Sequence, residues 1–485
     1  MHLSRFLVPV IALLAISTSG ASELVLEECR ISAGPAFPGI KARCGDFERP
    51  LDPEQPDGET IALRVAVVPA LSLEPEPDPV VPLAGGPGQG AVQFYTAYSG
   101  AFEALRSNRD ILLVDQRGTG RSAPLRCDIG EDILEGSIGG PEAVRLTREC
   151  LDELPHDARF FTTSVAVRDL EAVREALGYP ALNVYGVSYG SRVAQHYARR
   201  FPATTRTIVL DGVVPPARPL GPDIALESQR AVDDIFSRCA EDAACSERFP
   251  GLARNFAGLL EMLRESPVEM TVADPLSGEQ REISFGAGEF AIAIRLLAYQ
   301  PNTIALIPLF VHEAAKGNFD PLAAQFVTTT EGLADAIAVG MHNSVMCAED
   351  AARYNLADID RAALDASYLG PELVDMMLDV CSVWPAGPVD DDLDENLETD
   401  IPTLLLSGTA DPITPPGYAM QAATGLKRAW LLTGKHQGHG QIAVGCMPDI
   451  VAGFVEAAEL ADHAAACYEK SFVMPFFLTL SGPAP

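Results

Sequence analysis

Short apolar runs that stop abruptly at glycine recur along the first half of the chain. "TIALRVAVVPA" (60–70) alternates apolar and polar positions as a strand does, and "VVPLAG" (80–85) is a short apolar strand ending in glycine. Residues 109–122, "RDILLVDQRGTGRS", repeat that shape: a buried strand from Ile111 to Val114, then a charged, glycine-rich loop. In "TTSVAVRDLEAVREALG" (162–178) the spacing of Val165, Val167, Leu170, Val173 and Leu177 predicts a helix, with Gly178 placed to stop it. "ALNVYGVSYGSRVAQHYARRFP" (181–202) reads as strand, very tight turn and helix, and "RTIVLDGVVPP" (206–216) as another buried strand. Strands alternating with helices predict an α/β fold with a mostly parallel sheet.

After residue 216 the rhythm changes. From about 217 to 398 the pattern is mostly helical, with one hairpin over 268–285, "VEMTVADPLSGEQREISF". "IPTLLLSGTADPITPP" (401–416) and "RAWLLTGKHQGHG" (428–440) then return to strand followed by loop. The expected organisation is one α/β core interrupted by a helical cap: 22–213 and 401–485 for the core, 214–400 for the cap. Residues 22–60 read only as a proline-rich, cysteine-containing stretch. The acidic run "VDDDLDENLETD" (389–400) reads as a solvated linker rather than a cation site.

Composition narrows the function classes. A chain of 485 residues with 47% hydrophobic and 7% aromatic content suits a packed globular protein. Its formal net charge of −32 argues against a nucleic-acid partner, because a phosphate backbone attracts a basic surface. The first residues, "MHLSRFLVPVIALLAISTSGAS", form a signal-peptide pattern over 1–21 with cleavage after Ala21. The apolar run is short of the ~20 residues a membrane span needs, and no cysteine stands at the cleavage point to carry a lipid, so no stable membrane anchor is expected. Ten cysteines follow, an even number suited to an oxidising compartment. Successive pairing would close five modest loops. None of the spacings is that of a metal site, and no metal or organic cofactor is expected.

The local chemistry centres on Gly186-Val187-Ser188-Tyr189-Gly190. G-x-S-x-G between a strand and a helix is the nucleophile elbow, a turn so sharp that its neighbours must be glycine. A serine hydroxyl needs a base held by a carboxylate. In this fold the chain order is Ser, acid, His, and Asp411 and His439 each follow a strand in that order. His436 is the alternative base, with the glycines flanking His439 favouring the latter; Asp211 is the alternative acid. His156, His196, His312, His342 and His463 read as surface or satisfied histidines. The oxyanion donors expected are the N–H groups of Tyr189 and Gly86, with Gly85 as the alternative to Gly86. "AGGPG" (84–88) fails as a phosphate loop, because it matches neither nucleotide fingerprint and Pro87 lacks an N–H.

Five motifs, "GGPG" (85–88), "DQRGTGRS" (115–122), "GVSYGS" (186–191), "SGTADPITPP" (407–416) and "GHG" (438–440), resemble the proline iminopeptidase and tripeptidyl aminopeptidase family of α/β-hydrolases, in the family's order. The resemblance covers most of residues 60–445. It implies hydrolysis of peptides from a free N-terminus through an acyl-enzyme. It also implies that cap carboxylates hold the substrate ammonium; "MCAED" (346–350) resembles the segment that supplies them, giving Glu349 and Asp350. Asp115, Arg117 and Arg121 are expected to brace loops. Ala84 stands where many cytosolic iminopeptidases have His, which favours the exported, tripeptidyl branch. The rivals are a carboxylesterase or lipase on the same scaffold, and a catalytically silent relative that binds a partner.

Overall fold

The computed structural model describes residues 24–32, 39–127, 139–274, 277–470 and 472–482, so the expected signal segment lies outside the described residues. Its strands are β1 (Glu27–Ile31), β2 (Ile40–Pro50), β3 (Thr60–Val68), β4 (Glu76–Leu83), β5 (Arg109–Val114), β6 (Leu182–Val187), β7 (Thr205–Asp211), β8 (Val268–Ala273), β9 (Gln280–Phe285), β10 (Thr403–Gly408) and β11 (Ala429–Gly434). Nine of them form one sheet in the order β1-β2-β3-β5-β4-β6-β7-β10-β11. The pairs β1–β2, β2–β3 and β3–β5 are antiparallel and the rest parallel. This is the α/β-hydrolase fold. The parallel strands β4, β5, β6, β7 and β10 are continuous apolar runs because helices cover both their faces.

The helix Thr163–Leu177 covers the sheet with Val167, Leu170 and Val173, and ends at Gly178 in the left-handed region (φ 71°), whose N–H bonds the carbonyls of Arg174 and Glu175. Two strands, β1 and β2, occupy the stretch that the sequence left without elements. In β2 only Ala42, Cys44 and Phe47 turn inward while charged residues alternate outward, so the apolar signal is sparse. The segment between β7 and β10 carries the helices Ile224–Glu241, Leu252–Glu265, Ala287–Leu297, Ile307–Ala314 and Asp320–Ala336, with the hairpin β8–β9. They share an aromatic core in which Phe256 meets Phe236, Phe290 and Tyr368. The C-terminal residues pack on this segment: Phe477 N–H donates to the Ala305 carbonyl, and the Phe476 ring lies 4.1 Å beneath the Arg238 guanidinium.

All ten cysteines pair in succession, Cys29–Cys44, Cys127–Cys150, Cys239–Cys245, Cys347–Cys381 and Cys446–Cys467, as expected. The acidic run is less solvated than its composition suggests. Asp390 is bonded to His196 and paired with Arg168 and Arg200.

The register places the site. Leu83 pairs with Gly186, Val187 with Asp211, Asp211 with Leu406, and Gly408 with Gly434. Five parallel strands, β4, β6, β7, β10 and β11, therefore end nearly level, and the loops that leave them meet at one edge. From β4 the chain moves to β5 on one side, and it then returns to β6 on the other. The crevice between the loops after β4 and β6 is the switch point where ligands of such sheets bind.

Candidate active site

Ser188 stands between β6 and the helix Tyr189–Arg200 with φ 56° and ψ −127°, a conformation costly for a residue with a side chain. Three hydrogen bonds hold it there. Its N–H donates to the Asp211 carbonyl (2.9 Å), and the Ser191 N–H and Oγ both donate to the Ser188 carbonyl (2.9 and 2.6 Å). The flanking glycines follow from backbone contact: a Cβ at Gly186 would stand 2.2 Å from the Gly190 oxygen, and one at Gly190 2.1 Å from the Leu83 oxygen.

Asp411 is wholly buried beyond β10. Its Oδ1 accepts the N–H groups of Ile413 and Thr414, both at 2.8 Å. Its Oδ2 accepts the Thr414 hydroxyl at 2.8 Å and lies 2.8 Å from His439 Nδ1. Burial alone would raise this carboxyl, but the His439 charge, that hydrogen bond and the backbone donors hold it below the ordinary carboxylate range. A carboxylate can only accept, so Nδ1 carries the proton and Nε2 is left to act as a base. His439 is fixed in turn by its N–H, which donates to the Tyr299 carbonyl at 2.7 Å, and by the Tyr299 ring packed edge-on at 5.3 Å. Burial would lower its pKa, and the Asp411 charge and hydrogen bond, with help from Asp211, raise it instead.

The loop after β4 reaches the elbow directly: a Cβ at Gly85 would stand 3.0 Å from the Ser188 Cβ. Gly86 follows with φ 110°, joined to Pro87 by a cis peptide. Tyr189 opens its helix, where an N–H has no intrahelical acceptor. Gly86, Ser188 and His439 all line one cavity of about 830 Å³.

The other candidates sort by contact. Asp211 is wholly buried, and its oxygens accept the N–H groups of Gln441 and Ile442 and the Tyr185 hydroxyl; it holds the loop after His439 rather than the imidazole. His436 lies off the site, with Nδ1 3.6 Å from Asp234. Asp115 and Arg117 brace loops as expected: Asp115 accepts the N–H groups of Val92 and Arg121, and Arg117 clasps Asp169 with two nitrogens. His342 is a satisfied histidine, as expected, but not one remote from the site. It lines the cavity, and its Nδ1 lies 3.1 Å from the Pro87 carbonyl, so it steadies the Gly86–Pro87 turn.

Glu349 and Asp350 lie behind the cavity wall. They sit in a π-helical turn, Met346–Asp350, and neither lines the cavity. Asp350 forms a buried two-oxygen pair with Arg192 (2.9 and 2.8 Å) and also accepts the Leu220 N–H. Glu349 accepts the Thr163 N–H (2.6 Å) and hydroxyl (2.8 Å), and burial pushes its pKa up to about 7. Every oxygen of the two carboxylates is engaged inside the fold. Thr163 links Glu349 to the Tyr189 hydroxyl (2.6 Å), directly beneath the elbow.

Sequence reasoning missed Thr414, Tyr299, Arg295 and Asn343. Thr414 was open to discovery, since an Asp followed three residues later by Thr suits a side-chain-capped turn. Arg295 and Asn343 come from helices, and Tyr299 from a turn, that bear no motif.

Comparisons with known proteins agree with this geometry. Residues 78–264 match the family described as "alpha/beta hydrolase fold", and residues 366–467 the family described as "TAP-like protein". The chain is similar to "Serine protease Hip1" of Mycobacterium tuberculosis H37Rv, 26% identical, with 88% of this chain and 87% of that protein covered. It is 32% identical to "Tripeptidyl aminopeptidase" of Streptomyces coelicolor over 36% of each chain. It is 34% identical to "Carboxylesterase B" of Mycobacterium tuberculosis CDC 1551, over 42% of this chain and 43% of that one. The chain has the α/β-hydrolase fold, its residues 366–467 are similar to TAP-like proteins, and it is a serine hydrolase related to peptidases.

Proposed function

We propose that the protein is an exported serine aminopeptidase, releasing a single residue such as proline or a short peptide from a free N-terminus through an acyl-enzyme on Ser188. The observation that carries this is the Asp411–His439 pair opening onto the cavity that Ser188 also lines. The relatives named for tripeptidyl aminopeptidase and serine protease activity support the peptide substrate. Five disulfides, with no free cysteine among the described residues, support an oxidising compartment, and the signal-like N-terminus supports export.

In this mechanism Ser188 Oγ attacks the scissile carbonyl as its proton passes to His439 Nε2. The Gly86 and Tyr189 N–H groups receive the oxyanion. Asp411 holds the imidazolium until the proton moves to the leaving amine. Water then repeats the sequence and frees the acyl segment.

A second reading rests on one observation: among the described residues the cavity wall holds no Asp or Glu. A substrate ammonium would have to meet neutral acceptors such as Thr328, Thr329 and Asn302. A carboxylesterase needs no ammonium site, and a carboxylesterase is among the relatives. The two separate on matched peptide amides with free and acetylated N-termini. An aminopeptidase hydrolyses only the free form and leaves a shortened peptide, and Ser188→Ala abolishes the activity. Equal turnover of both forms supports the esterase-like reading.

A further inference from the structure

We infer that the active-site cavity is built to take a carboxylate, and that Arg295 is the residue that binds it, making substrates with an acidic side chain or a free C-terminal carboxylate the preferred ones. This deepens the proposed function and rests on the cavity being the substrate site.

The fold pairs its buried arginines. Arg117 has Asp169, Arg192 has Asp350, and Arg109 has Asp78. Arg295, half-buried on the cavity wall at the end of the helix Ala287–Leu297, has no such partner. Among the described residues it has no carboxylate within ion-pair distance. Its side-chain contact is a 3.3 Å hydrogen bond from Nη2 to the Tyr299 hydroxyl. Its Nε is buried and finds no acceptor.

A second donor on the same wall lacks an acceptor. Asn343, 4% exposed, has a buried Nδ2 with no partner among the described residues. Buried donors without acceptors are costly to a fold, and an anion in the cavity would offset the guanidinium charge that no carboxylate of the fold offsets. The planar guanidinium matches a carboxylate in geometry as well as charge. The wall offers no Asp or Glu to compete for it. Arg295 is also close to the chemistry, since the residue it touches, Tyr299, is the one whose carbonyl fixes His439.

The two sources of a carboxylate separate in one experiment. Short peptides are prepared in matched pairs, Glu against Gln at each position and C-terminal acid against C-terminal amide, each with a free and an acetylated N-terminus. The measured quantity is the ratio of kcat/KM within a pair, which does not depend on how much of a preparation is active. Wild-type enzyme should favour the carboxylate member of at least one pair by tenfold or more. Arg295→Met should bring that ratio close to one, and Arg295→Glu should shift preference toward a Lys-containing peptide. Arg295→Lys, keeping the charge without the fork, should retain a reduced preference. A wild-type ratio near one in every pair overturns the inference without recourse to any variant, as does an unchanged ratio in Arg295→Met. Equal turnover of acetylated and free peptides would instead sink the aminopeptidase reading and leave the carboxylate ratio standing.

Discussion

Asp411 and Asp211 grip the two sides of the same histidine loop: Asp411 Oδ2 lies 2.8 Å from His439 Nδ1, and Asp211 accepts the N–H groups of Gln441 and Ile442, at 2.8 and 2.9 Å. The first contact sets the tautomer of the base and the second sets where the loop lies. Asp411→Asn should leave the fold intact and lower kcat by about 10³- to 10⁴-fold. Asp211→Asn turns an amide toward backbone donors, so it should cost about 1–3 kcal/mol of stability with a smaller loss of kcat. Urea unfolding and steady-state kinetics on both variants check the assignment. A greater loss of kcat in Asp211→Asn would reverse it.

The pH profile follows from the same pair. His439 must be neutral to accept a proton, and Asp411 holds its pKa above the ordinary 6.5. The acid limb of kcat/KM should therefore have its midpoint above 6.5. Removing the anionic partner destabilises the imidazolium, so the residual activity of Asp411→Asn should show that limb at lower pH. A limb that stays in place would mean another group controls it.

Gly438 couples the base to the inserted segment. A Cβ there would stand 2.2 Å from the Tyr299 oxygen, the acceptor of the His439 N–H. Gly438→Ala should push the imidazole away and lower kcat by about 10²-fold, the scale expected for a displacement near 1 Å. Full activity in the alanine variant would show that Tyr299 is not what fixes the base.

Glu349 predicts a stability effect. Burial raises its pKa from 4.5 to about 7, so the folded state binds more protons than the unfolded one between those values. Its stabilisation is fully present below pH 4.5 and is lost as pH rises to about 7, by at most about 3 kcal/mol. Thermal unfolding across that window should show a shallower decline in Glu349→Gln than in wild type. Parallel curves would place the proton elsewhere.

Much of the site was legible because catalysis leaves local marks. Ser188 needs glycines on both sides for a turn whose backbones nearly touch, and that requirement is written in five consecutive residues. Asp411 and His439 follow strand ends, which the apolar runs before them announce. The successive disulfides were legible too. Strand β2 was not, because it buries few apolar residues and its outward face is charged. The surroundings of Glu349 and Asp350 were not legible for a related reason: an acidic pair in a motif does not say whether its oxygens face a cavity or a buried arginine and threonine. Arg295 and Asn343 lie in helices whose periodicity gives a buried face but not which side chain reaches the cavity, and Tyr299 lies in the turn that follows Arg295's helix.

The most direct test of the account is the mass and position of the trapped intermediate. A ten-residue peptide with a free N-terminus is mixed with enzyme, quenched in acid during turnover, and the protein is mapped by mass spectrometry. The account predicts an adduct on Ser188 equal in mass to the first one to three residues of the substrate. An adduct on another residue, or a longer acyl segment on Ser188, would contradict it.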